Sequence, residues 1–142
     1  GDWTPGDTPT YRMIMTADDR AYLQAWSNIS NDTFKPNGQM NTTFIAVDGT
    51  GTEVRYTVGV RNRGSSSRND NPSNFRVNFL GDRPWEGVSS LNLNSVLTYS
   101  QVIGPALFRM GGIETANAAA VKLRVNGVDP TAGTTLDIRA AR

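Results

Sequence analysis

The stretch VGVRNRGSSSRNDNPSNFRVNF, residues 58–79, decides the fold of this chain. It holds two alternating runs that enclose a loop rich in Gly, Ser and Asn. In the second run Phe75, Val77 and Phe79 alternate with Asn74, Arg76 and Asn78, the period-two pattern of a strand buried on one face and solvated on the other. The loop has a chemical use as well as a structural one. Its backbone amides and the hydroxyls of Ser65, Ser66 and Ser67 can donate to an anion, while Arg61, Arg63, Arg68 and Arg76 can balance its charge. The bland reading is a solvated hairpin loop with an exposed Arg/Asn face. The segment has neither the Gly-x-Gly-x-x-Gly spacing of a dinucleotide turn nor the Gly-Lys-Ser/Thr ending of a P-loop.

Working outward, residues 40–47 and 53–61 read as a strand pair joined by Asp48-Gly49-Thr50-Gly51-Thr52, whose glycines relieve turn strain. Val54, Tyr56, Val58 and Val60 share one parity and are expected on one buried face. Residues 11–15 make a first strand after an irregular Pro/Gly lead-in at 1–10. Thr16 and Asp19 then suit the start of a helix over 20–26, whose apolar face is expected to carry Ala21, Leu23 and Trp26.

Beyond Pro84-Trp85, residues 90–94 alternate as a short strand. Residues 100–110 look helical and end at Gly111-Gly112, but Gly104-Pro105 predicts two short helices or a kinked one. Residues 118–126 suggest another strand closed by an Asn126-Gly127 turn, and residues 136–138 a short edge strand. The expected class is α+β: an antiparallel sheet with two main helical segments.

The 142 residues and 37% hydrophobic composition allow one domain with a modest core. Fourteen basic against thirteen acidic residues leave a charge of +1, which argues against a specific nucleic-acid partner. The chain has no His and no Cys, so a histidine base, thiolate zinc and disulfides are excluded. No apolar run reaches the roughly twenty residues of a membrane-spanning helix. Asn28, Asn31 and Asn41 begin glycosylation sequons, which Asn/Thr-rich chains readily contain. Trp3, Trp26 and Trp85 are expected to be buried, although an exposed tryptophan can pack on a partner.

The order of several blocks resembles the N-terminal part of the CotH kinase family, atypical protein kinases of spore coats and secreted bacterial proteins. The blocks are Tyr11-Arg12-Met13-Ile14-Met15, residues 58–67, and Ser73-Asn74-Phe75-Arg76-Val77-Asn78-Phe79. Leu91-Asn92-Leu93-Asn94, residues 107–113 and Val121-Lys122-Leu123-Arg124-Val125-Asn126-Gly127 continue the series. Together they cover residues 11–127, with 128–142 as a terminal extension or the start of a truncated region.

The resemblance implies a kinase N-lobe with ATP and magnesium as ligands, and a secreted or surface location in a bacterium. Arg76 and Asn78 stand where the family's strand carries lysines, and Gln101 lies in the helix that would offer a carboxylate. The resemblance stops before the C-lobe, which carries the family's catalytic and metal-binding aspartates. Asp129 and Asp137 match none of its motifs and read as turn or tail carboxylates. No catalytic or metal-binding residue is therefore assigned, although a full-length parent could be an ATP-dependent protein kinase.

Two functions follow from this reading. One is a kinase-like extracellular domain, incomplete for phosphoryl transfer, binding nucleotide or phosphate through Arg61, Arg63, Ser65, Ser66, Ser67 and Arg76. The other is a noncatalytic surface or extracellular protein-interaction or assembly module, which predicts an exposed apolar patch around Trp85.

Overall fold

A computed structural model describes residues 7–27, 38–64, 73–95, 97–130 and 139–141. The chain is α+β. Its elements are strand β1 (Thr10–Ile14), helix α1 (Ala17–Ser27), β2 (Met40–Asp48), β3 (Gly51–Asn62), β4 (Phe75–Asn78), β5 (Ser90–Asn94), helix α2 (Thr98–Met110), β6 (Ala119–Val125) and β7 (Arg139–Ala141).

The strands close into a barrel in the order β1-β2-β3-β4-β5-β7-β6. All neighbours are antiparallel except β1 and β6, which run parallel from Thr10↔Lys122 to Met13↔Val125. The antiparallel pairing is as expected; the closure and its parallel seam are additions that short-range patterning does not carry. β7 lies between β5 and β6 and is no edge strand. The expected strand at 136–138 lies outside the described residues.

The inner face holds Met13, Phe44, Val58, Val60, Phe75, Val77, Leu91, Leu93, Val121 and Leu123, all buried. Tyr11, Phe44, Phe79 and Trp85 pack together, with ring centroids 5.3–6.0 Å apart. Edge-to-face geometry dominates, as ring quadrupoles prefer. Truncating Phe44 at the centre of this group would remove a payload of about 3–5 kcal/mol.

One expectation about this face fails. Val54 is half-buried and Tyr56 exposed, whereas Val58 and Val60 are buried. The register jumps from Thr42↔Val58 to Phe44↔Arg55, so Tyr56 and Thr57 together oppose Thr43. Thr57 has φ 58°. The extra residue is a β-bulge, and it reverses which parity points inward.

Helix α1 begins three residues earlier than expected, capped by Thr16, whose Oγ1 accepts the Asp19 amide at 3.1 Å. Leu23 is buried under it, but Ala21 is exposed. The Asn62 amide donates to the Leu23 carbonyl at 2.6 Å and ties the helix to β3.

Helix α2 is a single segment of 13 residues that contains Pro105, so of the two expected forms, two short helices or one kinked helix, the first does not occur. Proline removes one backbone donor, but the other turns of the helix keep theirs. Its carboxyl end unwinds at Gly111 and Gly112, where Gly112 adopts φ 78° and the Ile113 amide bonds the Phe108 carbonyl at 2.9 Å. The expected Asn126-Gly127 turn is present at φ 51° and 79°, closed by reciprocal bonds between Val125 and Val128. None of the described helices is long and apolar enough to cross a membrane.

Candidate functional site

Strands β3, β4 and β5 send every second side chain away from the core, and the predicted arginines use those positions. Arg61 lies directly opposite Arg76, and Arg76 lies opposite Asn92. In the next row Gly59 faces Asn78, which faces Ser90. Arg76 donates from Nε to Asn78 Oδ1 at 3.0 Å and from Nη2 to Ser90 Oγ at 2.8 Å, so its guanidinium lies flat along the sheet. Asn78 donates onward to Gln39 Oε1 at 2.8 Å. Arg61 Nη1 reaches the Asn62 carbonyl at 3.3 Å.

Arg63, just past the end of β3, donates to Asn94 Oδ1 at 2.6 Å, and Asn94 donates to Gln101 Oε1 of α2 at 2.7 Å. The three arginines are half-buried. No Asp or Glu occurs in residues 58–64, 73–80 or 88–95, so the stretches that carry these arginines bring no carboxylate; Glu53 of β3 lies beyond the bulge and is paired with Arg55. The fold thus gathers Arg61, Arg63 and Arg76 on one face. Ser65, Ser66, Ser67 and Arg68 lie outside the described residues.

Sequence reasoning assigned no role to Asn78, Ser90, Asn92 and Asn94. The alternation Ser90-Leu91-Asn92-Leu93-Asn94 held the signal, because it places all three polar residues on the face opposite the two leucines. Asn92 Oδ1 is covered and has no hydrogen-bond partner. Chemically, the face is an array of fixed cationic and amide donors suited to an anion's oxygens. Its described residues include no general base and no metal ligand set. Among the described residues, no three His, Cys, Asp or Glu residues are grouped as a metal site. Asp129 lies 3.7 Å from Arg124 in an ion pair. Asp137 is outside the described residues.

Trp85 does not contribute to an exposed patch. It is buried, and its Nε1 has no hydrogen-bond partner. With Tyr11, Leu91 and Ala119 it forms the wall of a cavity of about 370 Å³ at the barrel mouth, with Glu86 and Ser90 at its polar side. Burial pushes the Tyr11 hydroxyl pKa well above the usual phenolic range, with Glu86 and Asp48 adding to the effect. The Glu86 carboxyl is also raised, first by desolvation and then by Asp48 and Glu53. Arg55 partly offsets this charge through its ion pair with Glu53.

A row of exposed apolar side chains lies on α2. Tyr99, Ile103, Leu107 and Met110 are spaced by four, four and three residues and therefore share one helix face. They are 59%, 54%, 61% and 84% exposed, whereas Thr98 on the other side is buried. The helix thus turns its more apolar side away from the barrel. Arg109, the one charged residue between Thr98 and Gly112, is drawn aside by a 2.8 Å bond to Asn117 Oδ1.

No family model matches the chain, and no curated protein matches it.

Proposed function

We propose that this chain is a noncatalytic binding domain that works by protein contact, a surface interaction or assembly module. The observation that carries the reading is the outward apolar stripe of α2. A helix on a globular domain ordinarily buries its apolar stripe, and a contiguous apolar surface left in water marks an interaction site. The lack of charge along the stripe supports the same reading, because interface centres are depleted of charged residues. The test is retention of a partner by the immobilised chain, whether a second copy or another protein. Leu107→Glu is expected to abolish retention while leaving the unfolding midpoint unchanged; retention that survives the substitution would sink the proposal.

A second reading is favoured by the direct pairing of Arg61 with Arg76 where the flanking stretches 58–64, 73–80 and 88–95 contain no carboxylate. In it the domain is kinase-like, related to the N-lobe of CotH-type secreted bacterial kinases, and holds phosphate or nucleotide without transferring a phosphoryl group. Arg63 would join the contact through the Asn94–Gln101 relay. Calorimetric titration with ATP, with and without magnesium, and with inorganic phosphate tests this. Arg76→Ala is expected to weaken binding about tenfold, the loss of roughly one charge-assisted hydrogen bond. Absence of heat with all three ligands would remove this reading and leave the first untouched.

A further inference from the structure

We infer that the occupant of the α2 stripe is a second copy of this chain, packed as an antiparallel helix pair about a two-fold axis near Pro105. This rests on the interaction-module reading above and goes beyond it by naming the partner.

The stripe is nearly palindromic about position 105. Reversing one copy against the other sets Tyr99 opposite the other copy's Met110 and Ile103 opposite its Leu107. Large apolar residues then meet at every level. An isologous interface needs this self-complementarity, since each contact must recur with the partners exchanged. Charge permits the pairing as well. Between Thr98 and Gly112 the only charged side chain is Arg109, already bonded to Asn117, so no like charges meet across the axis. The crossing is also lined by small residues. Gly104 has no atom within 4 Å of where a Cβ would sit, and Ala106 follows on the other flank of Pro105. Two helices can therefore approach closely at the centre.

The contact is carried by the four stripe residues; Leu97 and Phe108, also more than half exposed, lie roughly 80–100° round the helix from Leu107, and Ile113 lies past its end.

The experiment is sedimentation velocity of the 142-residue chain across micromolar concentrations, compared with Leu107→Glu. The expected result is a concentration-dependent dimer that the substitution weakens at least about tenfold, since it places a carboxylate in the centre of the contact. Register is read separately. The chain has no cysteine, so Ile103→Cys and Leu107→Cys can be introduced singly. A mixture of the two is expected to form disulfide heterodimers faster than either forms homodimers. A dimer indifferent to Leu107→Glu, or cross-linking fastest within one variant, overturns the proposed pairing. A strict monomer that retains another protein through the stripe overturns self-pairing but keeps the module reading. A strict monomer that retains nothing overturns both.

Discussion

Single residues hold this barrel at places where the backbone is otherwise costly. Asn126 has φ 51° at the first central position of the turn after β6, and its Oδ1 accepts the Met15 amide at 2.9 Å while its own amide bonds the Met13 carbonyl. One side chain thus relieves turn strain and sews the end of β1 to β6. Asn126→Ala is expected to cost about 2–3 kcal/mol, combining left-handed strain with loss of a hydrogen bond. Asn126→Gly relieves the strain and loses only the bond, so its cost should be about 1 kcal/mol. Urea unfolding of the two variants separates these contributions; equal losses would show that one of them is absent. The turn itself was legible, because Asn-Gly is favoured where two successive residues need positive φ. The bond to Met15 was not, since the partners stand 111 residues apart.

At the level of elements, each departure from sequence expectation has a local cause. Thr57 is a β-branched residue at φ 58°, a conformation that its composition disfavours, so nothing in the stretch from Val54 to Val60 announced a bulge. Strict alternation therefore assigned Tyr56 to the core, and the bulge turned it outward. Helix α2 departs in the opposite sense: Gly104-Pro105 allowed two short helices or one kinked helix, and a single helix runs through Pro105. Replacing this residue tests what that continuity costs. Pro105→Ala restores a donor toward the carbonyl four residues earlier and is expected to raise stability by about 1–3 kcal/mol. Slower amide exchange within α2 should accompany the gain. Unchanged exchange there would mean that neighbouring contacts, and not the missing backbone bond, set the local stability.

For the molecule as a whole, stability depends on closure. β7 is only three residues long, yet it pairs with Leu93 and Asn94 of β5 and with residues 119–121 of β6. Without it both neighbours become open edges, which invite intermolecular pairing. Deleting Arg139–Ala141 should lower the unfolding midpoint and promote aggregation; an unchanged midpoint would show that the remaining strands hold the barrel shut. Local chemistry along the chain determined much of this protein. The alternation of Phe75, Val77 and Phe79, the Thr16 cap, the Asp48–Thr52 hairpin and the Gly111-Gly112 helix end were legible because each depends on residues within a few positions of one another. The Arg61, Arg63 and Arg76 set was likewise visible, since a hairpin places its two arms side by side. The burial of Trp85 also followed from its large apolar ring, and tertiary structure decided the rest: the parallel seam of β1 and β6 and the direction of the α2 stripe. Periodicity tells that a helix has an apolar face but not which side the barrel will cover, because that depends on surfaces supplied by strands distant in the chain.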